Sequence, residues 1–165
     1  SENPQRSMAK VLSLSTMAIA FGKVLFGPLI DKFGGVLCLQ VALSLLAVSL
    51  GIIASAVNFS TFAWAWIFVD FIFSSCWAAC LNAIHQSFSE QEWASKIGTL
   101  ATAARTGNAV SFLTFASILQ LAQTKAINIG VYGVQPWRIV FLIASLIQVV
   151  PIILLAKFGG APNSF

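Results

Sequence analysis

Residues 36–57 read VLCLQVALSLLAVSLGIIASAV, a run without a single charged side chain. A bilayer core of about 30 Å requires about 20 predominantly apolar residues in a helix, and this run has that length and composition. Its apolar residues are continuous and do not alternate with a period of two, as they would in a strand of a membrane barrel. The stretch therefore predicts one helical crossing of a membrane.

The composition extends this interpretation to the whole chain of 165 residues. Hydrophobic residues make up 58% of the chain and charged residues 8%, whereas about 25% of the residues in soluble domains are charged. This number of charges is too small to cover the surface of a water-soluble domain. Lipid must therefore be the solvent around much of the chain. The basic residues are scattered singly along the chain, and we therefore expect no nucleic-acid partner.

Charges, prolines and polar clusters divide the chain into five predicted membrane helices. These cover about residues 9–30, 36–57, 62–88, 94–123 and 137–156, with the longest polar connection at residues 124–136. The predicted fold class is all-α, a polytopic transmembrane bundle in an integral multi-pass membrane protein embedded in the lipid bilayer. Basic residues in the connections divide almost evenly between the two faces, so the positive-inside rule assigns no orientation.

Three ionisable residues lie deep inside the predicted spans, namely Lys23, Asp70 and Arg105. A charge at the bilayer centre costs from about 2.5 to about 10 kcal/mol or more, so each needs a partner or a water-filled cavity. One hypothesis places Lys23 and Arg105 in a central cavity where they bind an anionic solute, with Asp70 as counter-ion or proton carrier. The structural alternative is an Asp70–Arg105 ion pair, with Lys23 reaching the interface along apolar surface.

Two further side chains inside the spans are candidates for function. Trp77 lies deep in its span and is a candidate for lining a solute pocket, with helix packing as the alternative. His85 lies near the end of the same span, where an interfacial hydrogen bond is the alternative to a proton relay. Nucleotide-binding, metalloprotease and nucleophile motifs are absent from the sequence, and its cysteines lack the spacing of a zinc site. We therefore predict no enzyme activity, no metal and no cofactor.

The turn at residues 27–34, GPLIDKFG, resembles the signature loop of the major facilitator superfamily, Gly-x-Leu-x-Asp-Arg/Lys-x-Gly, between its second and third helices. In that family the aspartate is thought to bind the other domain in one conformation and to release it in the other, as a two-state carrier requires. Gly35 departs from the pattern, which usually has a basic residue there. The conformational gate implied by the resemblance consists of Gly27, Asp31, Lys32 and Gly34.

Two other stretches are similar to the same family. Residues 135–141, QPWRIVF, resemble its Gly-Trp-Arg-x-x-Phe start of helix six, and residues 88–98 resemble its loop between helices four and five. On this alignment, residues 1–165 are a fragment, a partial amino-terminal domain with helices two to six. The resemblance implies a secondary transporter that works by alternating access, whose site also needs the missing second six-helix half. We therefore expect no transport by this piece alone.

The branch of the family is left open by the residues. Lys23 precedes Gly27 and Asp31 with the spacing of a phosphate-contacting lysine in the organophosphate/phosphate antiporters, and residues 77–80, WAAC, are similar to their Trp-Pro-Pro-Cys without its prolines. Residues 104–107, ARTG, instead resemble an element of lysosomal or dipeptide-like carriers. The resemblance thus implies antiport of a small polar, anionic solute, or alternatively transport of amino acids or dipeptides. A non-transporting sensor or assembly protein on the same fold is the second class of function.

Overall fold

The computed structural model describes residues 4–126 and 135–159, and every regular element in these two ranges is an α-helix. The helices are α1 (Pro4–Phe33), α2 (Gly35–Ser55), α3 (Phe59–Phe73), α4 (Cys76–Ser87), α5 (Glu90–Ala126), α6 (Pro136–Ile147) and α7 (Val149–Phe158). The all-α class predicted from the apolar runs is confirmed. Most of the predicted polar connection, residues 127–134, lies outside the described residues.

Four helical stretches are long and apolar enough to cross a membrane. They cover residues 5–33, 35–55, 59–87 and 137–158, so that α3 with α4, and α6 with α7, each form one span. With 37 residues α5 exceeds the length of a crossing, but it is not among these four stretches. Its first half contains Arg105 and several threonines, which lower its hydropathy. These spans make the chain an integral multi-pass membrane protein.

Two of the spans contain a break that the apolar pattern does not reveal. Between α3 and α4 the hydroxyls of Ser74 and Ser75 each donate to the backbone carbonyl three residues earlier, at 2.6 and 2.7 Å. Such bonds from a side chain back to its own helix favour a bend. The second break, at Gln148 between α6 and α7, lies one turn before Pro151, which has no N–H to donate to the carbonyl four residues earlier.

The bundle is built around α2, which packs against α1, α3, α4, α6 and α7. Its core is small and consists of Ala42 and Leu46 of α2 with Ile72 of α3, each 4% exposed. Within the described residues α5 packs only against α4 and α6, and no close approach joins it to α1 or α3. This order of helices decides which of the candidate residues can meet.

The start of α6 contacts the C-terminal end of α2 and the first half of α3. The Arg138 guanidinium donates a hydrogen bond of 2.7 Å from Nη2 to the Ala56 carbonyl just after α2, and its carbon lies 5.1 Å from the centre of the Trp137 ring. Farther along α6, the Ser145 hydroxyl donates to the Ala47 carbonyl at 2.7 Å. A cluster of edge-to-face rings joins α3 to α6, namely Phe62, Trp66, Trp137 and Phe141.

Candidate functional site

Lys23 lies on α1, about 15 Å along the helix from its end at Phe33, which places it near half the thickness of a bilayer core. The neighbouring residue, Gly22, is buried so closely against α3 that a β-carbon there would meet the hydroxyl of Ser74. Lys23 itself is exposed. No carboxylate lies within 4 Å of its ammonium group among the described residues.

Asp70 lies in the last turn of α3 and is half-buried. Its backbone carbonyl accepts the Ser74 N–H at 3.1 Å, but within the described ranges no cation lies within 4 Å of its side-chain carboxylate. Arg105 is exposed on α5, a helix that does not touch α3 in the described part of the chain. The Asp70–Arg105 ion pair offered as the structural alternative is therefore not formed between these residues.

The four candidate solute-binding residues lie along a row of neighbouring helices and do not form one contact cluster. Lys23 of α1 and Asp70 of α3 are on helices that pack together. Trp77 is 47% exposed near the start of α4, and it stacks on no other ring in residues 4–126 and 135–159. Arg105 lies on α5, which within the described residues packs against α4 and α6 but not against α1 or α3. Their common role in binding stays a prediction.

The turn between α1 and α2 has the conformation that its glycine signature implies. Gly34 has a φ of +86°, in the left-handed region where a β-carbon is strained. Its N–H donates to the Ile30 carbonyl at 2.9 Å, which ends α1, and its own carbonyl accepts the Cys38 N–H at 3.2 Å, which starts α2. Gly27 differs, because a β-carbon there would meet nothing within 4 Å. Close packing between the described helices therefore does not require a glycine at position 27.

Asn82 of α4 is a residue at this turn that the sequence analysis missed. Its Oδ1 accepts the Gly35 N–H at 2.8 Å, and its Nδ2 donates to the Asp31 carboxylate at 3.5 Å. One amide thus satisfies the first N–H of α2 and connects Asp31 to α4. The only signal in the sequence was an amide inside an apolar span.

Gly35 departs from the family pattern for a steric reason. A β-carbon on Gly35 would collide with the carbonyl of Ala79 and the N–H of Ala83, both in the backbone of α4. A basic side chain at this position would force α2 and α4 apart. The close contact between the two helices therefore requires a glycine at this position.

His85 lies in the last turn of α4, just before the turn between α4 and α5. Its ring centre is 4.3 Å from that of Trp93, whose indole N–H donates to the Phe88 carbonyl at 2.9 Å. The Ser89 hydroxyl donates to the Glu92 carboxylate at 2.9 Å and completes the turn. His85 is exposed and has a packing partner, which favours the interfacial role over a proton relay.

The fold and the placement of these residues define a polytopic helical membrane protein with charges inside its spans. A family model of the Major Facilitator Superfamily matches residues 5–164. The chain therefore belongs to the major facilitator superfamily, and it is a membrane transporter. No curated protein and no solved structure matches it. Among the described residues, no group of three or more His, Cys, Asp or Glu is placed to hold a metal ion.

Proposed function

We propose that the chain forms one wall of a carrier that moves a small polar, anionic solute by alternating access, as an antiporter. The observation that carries the proposal is the pair of cations Lys23 and Arg105. Each is exposed along its helix, and each lacks a carboxylate within 4 Å in the described part of the chain. A cation without a partner is costly in lipid, so a water-filled cavity with an anionic solute is its natural environment.

The balance of the three candidate charges, Lys23, Asp70 and Arg105, favours an anion over a cation. Lys23 and Arg105 outnumber Asp70, and the described residues include no ion pair among the three. A phosphate or carboxylate group offers several acceptor oxygens to an ammonium and a guanidinium group, and such charge-assisted hydrogen bonds are the strong ones. The spacing of Lys23 from the signature turn makes a phosphate ester the first compound to test.

Amino acids or dipeptides are the second candidate solutes, and Asp70 is the observation that favours them. Its half-buried carboxylate has no cation within 4 Å among the described residues, so it is free to bind a solute ammonium group. A zwitterionic solute would then place its own carboxylate on Lys23 or Arg105. A non-transporting sensor or assembly protein is less favoured, because it predicts charges paired within the protein.

We propose that the solute cavity also has a second wall, which lies outside this chain of helices. In this family the solute site lies between two halves related by pseudo-symmetry, near the middle of the bilayer. The helices of this chain supply one half at most, and the second six-helix half of the same full-length protein supplies the other. We therefore expect no solute uptake into liposomes that contain residues 1–165 alone.

Counterflow in proteoliposomes tests the proposal. The full-length protein is reconstituted as wild type, Lys23→Ala and Arg105→Ala, and is offered phosphorylated sugars, inorganic phosphate, dicarboxylates and dipeptides. We expect exchange of a phosphate ester that falls at least tenfold in Lys23→Ala and in Arg105→Ala. A matched control is Lys96→Ala, which removes a cation 4.6 Å from the Phe88 ring near the start of α5. This control should retain wild-type exchange.

Three results would contradict parts of the proposal. Full transport by both cavity variants would show that the charges are structural. Exchange of dipeptides, with loss in Asp70→Asn, would replace the anion by a zwitterion. Uptake by residues 1–165 alone would show that a second half is not needed.

A further inference from the structure

An apolar crevice of about 210 Å³ lies between α1 and α2, and most of the side chains that line it are at least partly exposed in the described bundle. Its walls are formed by Phe26, Leu29 and Phe33 of α1 and by Leu37 and Leu45 of α2, among others. Its base is Ile72 at the end of α3, which is 4% exposed. None of Lys23, Asp70 and Arg105 lines the crevice.

The crevice offers no free hydrogen-bond donor to a polar solute. Ser75, one of its two polar lining residues, donates its hydroxyl to the Ile72 carbonyl at 2.7 Å. The other, Cys38, has its sulfur 3.7 Å from the Leu29 carbonyl, as a weak donor. Drug-sized ligands usually occupy about 300–1,000 Å³, so the volume is too small for them. A single flexible hydrocarbon chain is the ligand that this shape and lining suit.

The direction of the crevice matches that of a lipid chain. Along α1 its walls extend from Phe33, next to the α1–α2 turn, to Phe26, a distance of about 10 Å along the axis. The turn ends a membrane span and therefore lies at the interface, where lipid headgroups are. A chain that enters beside Phe33 would run toward the middle of the bilayer, parallel to α1.

A cation lies at the mouth of the crevice. The Lys32 ammonium group is 5.3 Å from the centre of the Phe33 ring, and that ring lines the crevice. The neighbouring carboxylate, Asp31, accepts a hydrogen bond from Asn82 of α4. Lys32 is therefore the charged group beside the mouth that can hold a phosphodiester.

We propose that the crevice is a phospholipid site, in which one acyl chain packs between α1 and α2 and the phosphodiester binds Lys32. The proposal does not depend on the transported solute. Its occupant is a lipid of the surrounding bilayer, held by apolar contact along the chain and by one charge at the headgroup.

Native mass spectrometry of the delipidated protein, titrated with palmitoyl-oleoyl phosphatidylglycerol, tests this site. Leu45→Trp fills the crevice, and Lys32→Gln removes the charge. We expect each to weaken binding of the first lipid at least fivefold. The matched controls are Lys96→Gln, which removes another lysine that lies over a phenylalanine ring, and Leu142→Trp, at a leucine of α6 that is 53% exposed. Both controls should bind the lipid as wild type does.

Alkylation of Cys38 gives a second measurement that leaves the crevice unmutated. With Cys76→Ala and Cys80→Ala in place, a small maleimide should react with Cys38 in detergent, and added phosphatidylglycerol should slow the reaction at least threefold. Glycerophosphate, which has no chain, should not slow it. Wild-type lipid binding by both Leu45→Trp and Lys32→Gln would overturn the proposal. So would a rate of Cys38 alkylation that added phosphatidylglycerol leaves unchanged, since the lipid would then not occupy the crevice.

Discussion

Asn82 bonds Gly35 and Asp31 although it lies 47 and 51 residues away from them in the chain. A hydropathy pattern records that an amide interrupts an apolar span, but it does not record which distant N–H will need an acceptor. The glycine signature, in contrast, is local, because the φ of Gly34 depends on its own turn. This is why the turn could be predicted from the sequence and its partner on α4 could not.

The contact of Gly35 with α4 leads to a prediction at the same scale. Gly35→Ala should lower thermal stability, because its β-carbon collides with backbone atoms of Ala79 and Ala83; overpacking of this kind costs about 1–3 kcal/mol. Gly27→Ala is the matched control, since its β-carbon would meet nothing within 4 Å and alanine favours a helix by about 1 kcal/mol. Melting in detergent micelles, followed by exposure of the half-buried cysteines to a fluorogenic maleimide, compares the two. Equal melting temperatures would show that α2 and α4 separate without cost.

At the scale of the helices, continuous apolar runs predict where the chain crosses the membrane but not where a crossing is broken. The break between α3 and α4 depends on the hydroxyls of Ser74 and Ser75, which donate hydrogen bonds to carbonyls of their own helix. The break before Pro151 follows from a local rule, but Pro28 lies inside an unbroken α1. The local rule therefore does not decide by itself which proline ends a helix.

The attachment of α6 to α2 depends on Arg138. Arg138→Ala removes the bond to the Ala56 carbonyl and the contact with Trp137, and hydrogen bonds from charged groups contribute about 1.5–3 kcal/mol. We expect a lower melting temperature, with α6 and α7 losing amide protection before α1 does in hydrogen exchange. Arg138→Lys keeps the charge but not the planar fork of donors, so it should rescue only part of the loss. Uniform loss of protection across all helices would contradict this local role.

At the scale of the whole molecule, the surface divides into an apolar part and a polar part. The composition of the sequence predicts the apolar part only. Lipid accounts for the exposed leucines, valines and phenylalanines of α1, α2, α6 and α7. The placement of Lys23 and Arg105 depends on how helices are ordered around α2, which no local pattern encodes. The first half of α5 is exposed and polar, and within the described residues nothing but α4 and α6 packs against this helix.

This division predicts which face of α5 meets water. Thr102 and Thr106 line a shallow groove on α5, three residues before and one residue after Arg105. In a cysteine-free background of the full-length protein, Thr102→Cys and Thr106→Cys should react at least tenfold faster with a water-soluble, membrane-impermeant maleimide than Leu142→Cys on α6. A water-filled cavity supplies both the reagent and the thiolate that reacts, whereas lipid excludes both. A bound anionic solute should slow the two reactions, since it would occupy the same cavity. Slow reaction at all three positions would place this face of α5 against protein or lipid, and Arg105 would then lose its access to a solute.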